Sequence, residues 1–170
     1  MKIAKKLLSF VLALSMLTAM SSAFAAEAAS KAGPDDVTEG SAFSTAIQFV
    51  WERGYMNGYS DGTFRARNTV TRAQLFQTLY NMRGTPSVSD MTSFRDVAAN
   101  AWYASAAAWS KDAGLIQGTA GGFSANAKLD RQQLVKVMCA YAGLTGVTLQ
   151  GGDLSAYADA DQVAPYAQPY

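Results

Sequence analysis

The chain has 170 residues, with 14 Lys+Arg against 13 Asp+Glu, a formal charge of +1. That balance leaves no basic surplus to hold a nucleic-acid backbone, so no nucleic-acid partner is expected. Hydrophobic residues make up 49% and aromatics 11%, which excludes a disordered chain, and the absence of His with a single Cys excludes His-based triads, His general bases, Cys-rich zinc sites and an intrachain disulfide framework. No catalytic residue, metal site or cofactor is expected.

Lys2, Lys5 and Lys6 are followed by a mostly apolar run from Leu7 to Met20 and then by Ser21-Ser22-Ala23-Phe24-Ala25-Ala26. A charged start, a short apolar core and a small-x-small ending describe a secretory signal peptide, assigned to residues 1–25 with cleavage after Ala25. The run is short of the ~20 residues that span a bilayer, and no later segment is long and apolar enough, so the exported chain is not expected to span a membrane. Removal of the leader takes three of the 14 bases and no acid, leaving 11 against 13, net −2. Cys139, within Val135, Val137, Met138 and Ala140, reads as a small buried hydrophobe.

The rest of the chain is an internal repeat. Asp36 to Gly84 lies on Asp96 to Gly143 with one gap, opposite Thr63. Identities include Asp36/Asp96, Val37/Val97, Gly54/Gly114, Gly58/Gly118, Gly62/Gly122, Phe64/Phe123, Arg72/Arg131 and Leu75/Leu134. They fall on glycines and helix starts, where backbone geometry is most demanding. The expected organisation is repeat 1 over 34–84, a linker over 85–93, repeat 2 over 94–143, a second linker over 144–156, and the start of a truncated third repeat over 157–170. In that third copy Pro165-Tyr166-Ala167 falls on Trp102-Tyr103-Ala104.

Each full copy reads as helix, loop, helix, an all-α architecture. Phe43, Ala46, Ile47 and Val50 give the first helix an i, i+3, i+4, i+7 face ended by Gly54; Trp102, Ala106, Trp109 and Ala113 do so in repeat 2, ended by Gly114. Asp35-Asp36 reads as dipole support for the first of these helices. The loop Gly58-Tyr59-Ser60-Asp61-Gly62 carries an Asp-Gly turn; it could pass for part of a calcium loop, but Gln117 to Gly122 has no carboxylate and a turn is the better reading. Phe64 and Phe123 are expected to anchor the two loops. Thr71-Arg72-Ala73-Gln74 is a capping box, and Asp130-Arg131-Gln132-Gln133 repeats it with Asp as cap. The stripes Leu75, Leu79, Met82 and Leu134, Met138, Tyr141 need a neighbouring copy to cover them. Among the aromatics, Trp51, Trp102, Trp109 and Tyr103 could stack on a sugar ring but read better as core.

Arg72 and Arg131 are what local physics leaves unexplained. A cation just inside a helix N-terminus is unfavourable by ~0.3–1 kcal/mol, yet the choice is made twice at one repeat position. Free N–H groups plus a guanidinium would suit a carboxylate or phosphate ligand. A salt bridge to a neighbouring acid such as Asp96 or Asp159 explains the residues equally well.

Phe94-Arg95-Asp96-Val97, Trp102-Tyr103, Gly114-Leu115-Ile116-x-Gly118, Gly122-Phe123 and Leu129 to Gln133, with Gly54-Tyr55-Met56-x-Gly58, Asp61 to Phe64 and Val70 to Gln74, resemble the S-layer homology repeat. The resemblance implies helical repeats, usually in threes, forming a pseudo-threefold spindle. It implies a non-catalytic module that holds exported proteins at the bacterial cell wall or surface layer by binding a secondary cell-wall polysaccharide attached to peptidoglycan, its carboxylate often from a pyruvate ketal. Arg72 and Arg131 would be the main ligand contacts. Thr71 and Asp130 would set the helix starts, with Gln74 and Gln133 where the family usually has Glu, and Trp102 and Gly58 would wall a groove between repeats. The alternatives are an exported helical structural or protein-interaction module, one able to self-associate in a surface layer, or the anchor fragment of a larger surface enzyme.

Overall fold

A computed structural model describes residues 33–91, 94–117 and 122–169, so the leader expected over 1–25 lies outside the described residues. The protein is all-α. Its helices are α1 (Ser44–Glu52), α2 (Arg72–Met82), α3 (Ala104–Asp112) and α4 (Arg131–Leu144), followed by two 3-10 turns at Leu154–Ala156 and Ala160–Gln162. The described residues contain no strand, only an isolated antiparallel bridge between Thr71 and Lys128.

The main helix-on-helix contact crosses the repeat boundary: α2 of repeat 1 packs on α3 of repeat 2. The sequence explains why these two meet. Ala104, Ala106, Ala107 and Ala108 give α3 a buried, small-residue surface that lets α2 approach, and α2 fills it with Ala73, Phe76, Leu79 and Tyr80. Tyr80 tilts against Trp109 with ring centroids 5.8 Å apart, and Phe76 meets Phe123 at 5.8 Å. Phe123 also meets Phe94 at 5.5 Å and stacks on Tyr103 at 5.7 Å. One core therefore draws on both repeats, and Phe76 is fully buried at its centre.

The loops are held by a device used twice. Phe64 and Arg65 N–H groups donate to the Asp36 carboxylate at 2.6 and 2.8 Å. Phe123 and Ser124 N–H groups donate to Asp96 at 2.7 and 2.8 Å. The clamp fixes Arg65 and Ser124 in the left-handed region, both at φ 57°, a conformation that side-chain-bearing residues adopt only when held there. Asp36 is thus a loop clamp and not the dipole support expected for α1, because the backbone N–H groups 28 residues on are aimed at it.

Several expected apolar faces shift for the same reason, the place of each helix in the array. On α1 the buried residues are Ile47 and Trp51, while Phe43 is 69% exposed and Ala46 is also exposed. No preceding repeat covers the side of α1 that α3 turns toward α2. Trp109 is buried as expected, but Trp102 is 63% exposed and leaves the stripe. On α4, Val137 and Tyr141 are buried, whereas Leu134, Val135 and Met138 are exposed and Cys139 is half-exposed, not buried. Cys139 occupies the repeat position of Tyr80, and the helix that covers Tyr80 has no full counterpart on α4.

The segment after the second linker follows the same path into α4. Ala160 N–H donates to Tyr157 O as Val97 N–H does to Phe94 O, each at 3.2 Å. Ala167 N–H donates to Ala164 O at 2.8 Å, as Ala104 N–H does to Ala101 O at 2.9 Å, and Ala167 and Ala104 are both buried. Ala164 N–H reaches Gln132 Oε1 at 2.7 Å, which ties the segment to the first turn of α4.

Candidate functional site

The capping box at α2 forms in full. Gln74 N–H donates to Thr71 Oγ1 at 3.3 Å, and Thr71 N–H donates to Gln74 Oε1 at 2.9 Å. Asp130 caps α4 by accepting from Gln133 N–H at 2.8 Å; no return bond from the Gln133 side chain accompanies it among the described residues.

The two helix starts then diverge. Arg72 N–H donates to Ala127 O at 2.9 Å and Ala73 N–H to Ala125 O at 3.0 Å, both carbonyls coming from the loop of repeat 2. With Gln74 N–H on Thr71 Oγ1 and Leu75 N–H on Thr71 O, the first turn of α2 has no free donor. The free N–H groups expected beside Arg72 are therefore already filled by the neighbouring repeat. At α4 the Arg131 and Gln132 N–H groups have no such partner among the described residues, and Arg131 is exposed.

The Arg72 side chain lies at the junction. It is half-buried, its guanidinium carbon is 5.3 Å from the Phe76 ring centroid and 5.6 Å from that of Phe123, and its Nε is buried without a hydrogen-bond partner. Burial lowers its pKa from the usual arginine value. No acid pairs with it among the described residues: Asp96 is committed to Phe123 and Ser124, and the one ion pair joins Arg65 to Asp61 at 2.6 Å. The salt bridge to Asp96 or Asp159 is absent. Asp61 itself is bound by Thr63 Oγ1, Arg65 and Thr63 N–H, which hold its pKa down to about 2 and make the loop a turn, not a calcium site. No cluster of His, Cys, Asp or Glu suited to a metal occurs among the described residues.

A groove of about 600 Å³ runs between the repeats on another side of α2. The Tyr55–Ser60 loop and Phe64 form one wall; Gln74, Gln77, Thr78 and Asn81, at i, i+3, i+4 and i+7, form the other; Trp102 of repeat 2 closes one edge. Of the expected site residues the groove gathers Gly58, Gln74 and Trp102. Arg72 and Thr71 do not line it, and Arg131, Asp130 and Gln133 lie on α4, away from it. Gln74 Nε2 donates to Tyr59 Oη at 3.0 Å, a bond that a Glu at this position could not make. Gly58 is at φ +64°, and a Cβ there would meet Thr63 O at 2.5 Å and Trp51 at 2.7 Å, so the position needs glycine to fold the wall. The amide-bearing face of α2 was missed in the sequence; its signal, four polar residues at helical spacing opposite Phe76 and Leu79, was present.

The family model of the S-layer homology domain matches residues 35–76 and 93–135. The chain belongs to the S-layer homology domain family. That membership makes it a cell-surface anchoring module and points to a non-catalytic role. The chain is also similar to the surface-layer 125 kDa protein of Lysinibacillus sphaericus, 32% identical over 126 residues that cover 74% of this chain and 10% of that protein. It thus spans about a tenth of the length of that relative. No helix among the described residues is long and apolar enough to cross a membrane.

Proposed function

We propose that the module anchors its protein in the bacterial surface layer by binding a carboxylate-bearing secondary cell-wall polysaccharide, with Arg72 as the anion contact. The observation that carries this reading is the half-buried Arg72 guanidinium, which has lost solvent yet has no acid partner among the described residues. A charge desolvated without a counter-charge is costly, and an arriving carboxylate offsets that cost. Arg131 is the equivalent contact of a second junction. Its helix start keeps two N–H groups open where that of Arg72 is closed by a loop.

The reading extends to the ends of the chain. Residues 1–25 are the export leader, and residues 157–170 begin a third repeat seated on α4. The matched turns at Tyr157 and Ala164 and the buried Ala167 support this. The test is co-sedimentation with purified cell walls. Wild type pellets with intact walls and stays soluble with walls stripped of their polysaccharide; equal pelleting with both would overturn the proposal.

One observation favours a second reading, a structural or protein-interaction module. The Arg72 guanidinium contacts two core rings, Phe76 and Phe123, and so could serve to join the repeats. On that reading Arg72→Ala lowers the melting temperature and leaves wall binding of the folded fraction intact.

A further inference from the structure

We propose that the groove between the repeats is a separate subsite for an uncharged sugar ring, stacked on Trp102 and hydrogen-bonded by the amides of α2. The inference rests on the wall-polysaccharide reading and assigns the groove a different part of the polymer from the carboxylate met at Arg72.

The groove carries no charged side chain on any wall: its lining is Tyr55, Met56, Asn57, Gly58, Tyr59, Ser60, Phe64, Gln74, Gln77, Thr78, Asn81 and Trp102. In a chain of this charge content that absence selects against an ionic ligand. The presence of Gln74, where the resembling repeats usually have Glu, contributes directly. Its Oε1 serves the cap while its Nε2 donates to Tyr59 Oη, which leaves the Tyr59 hydroxyl hydrogen free to point elsewhere.

Trp102 is the exposed tryptophan of the fold, at 63%, against 7% for Trp51 and 8% for Trp109. It is nonetheless fixed, edge-on to Tyr103 with centroids 5.2 Å apart and planes at 84°. A large aromatic held in place with its surface open is suited to stack on the apolar face of a ring. Opposite it, Gln77 Nε2 is committed to Asn81 Oδ1 at 2.9 Å, while Gln77 Oε1 has no partner. Asn81 Nδ2 is held by Tyr55 O at 3.1 Å. Planar amides beside an aromatic shelf in a cavity of this size match a hydroxyl-rich neutral ligand of one or two rings.

The test is a nuclear magnetic resonance titration of the labelled protein with glucose, galactose and N-acetylglucosamine, and with glucuronate as a charged control. The expected result is a saturable shift of the Trp102 indole and the Gln74 and Gln77 side-chain amides with at least one neutral sugar. That shift persists in Arg72→Ala and weakens at least ~10-fold in Trp102→Leu and in Gln77→Met, read at Gln74. Absence of a saturable shift with every neutral sugar, its loss in Arg72→Ala, or an unchanged affinity in both groove variants would overturn the proposal. Failure of the anion reading is seen separately, as Arg72→Ala that still pellets with walls.

Discussion

Phe123 N–H donates to the Asp96 carboxylate across 27 residues of chain at 2.7 Å, and Phe64 N–H makes the same bond to Asp36 at 2.6 Å. The first bond sets the loop whose carbonyls, Ala125 and Ala127, close the first turn of α2. A carboxylate near the start of repeat 2 thereby decides what surrounds Arg72 in repeat 1.

Acid should loosen this arrangement. Backbone N–H donors from Phe64 hold the Asp36 pKa below its usual value, those from Phe123 and Ser124 do so for Asp96, and Thr63 and Arg65 bring Asp61 down to about 2. A depressed folded-state pKa contributes stability that is present above the unfolded value, about 3.9, and is lost as pH falls through the folded one. The melting temperature should be flat from neutral to about pH 5 and fall between about pH 4 and pH 2. Circular dichroism melts across that range check it; Asp36→Asn with Asp96→Asn should lower the neutral plateau and flatten the acid limb.

Truncation of the shared core should be far more damaging than truncation of the open face of α4. Phe76 is fully buried between α2, α3 and the Phe123 loop, so Phe76→Ala should cost about 3–5 kcal/mol. Met138 is 41% exposed, and Met138→Ala should cost under about 1 kcal/mol. Urea unfolding gives both values.

The cap at α2 should show directly. Thr71→Ala removes the acceptor for Gln74 N–H and should cost about 1 kcal/mol, while Thr71→Ser should retain most of it. Asp130→Ala should cost a similar amount at α4. Thermal melts of the three variants test the ranking.

The repeat, the helix count and the caps were legible because each is written locally. Gly58 needs positive φ, Thr71 and Gln74 sit three apart, and Asp130 stands where Thr71 does. What sequence could not show was the partner of each face. Phe43 and Ala46 have helical spacing, but burial depends on a neighbour that repeat 1 lacks on that side. The filling of the Arg72 helix start by Ala125 and Ala127 is a contact across more than 50 residues between backbone atoms, which side-chain identity does not encode. Trp102 was legible as an aromatic suited to either core or sugar; its exposure resolves which surface it occupies.

The central claim is that Arg72 holds an anionic wall polymer, and the most direct measurement is the affinity of Arg72→Ala for purified, solubilised wall polysaccharide beside that of wild type. Loss of a charge-assisted hydrogen bond is worth about 1.5–3 kcal/mol, so the variant should bind roughly 10- to 100-fold more weakly while its folded fraction matches wild type at the assay temperature. Equal affinity of folded Arg72→Ala and wild type for the polymer would contradict it.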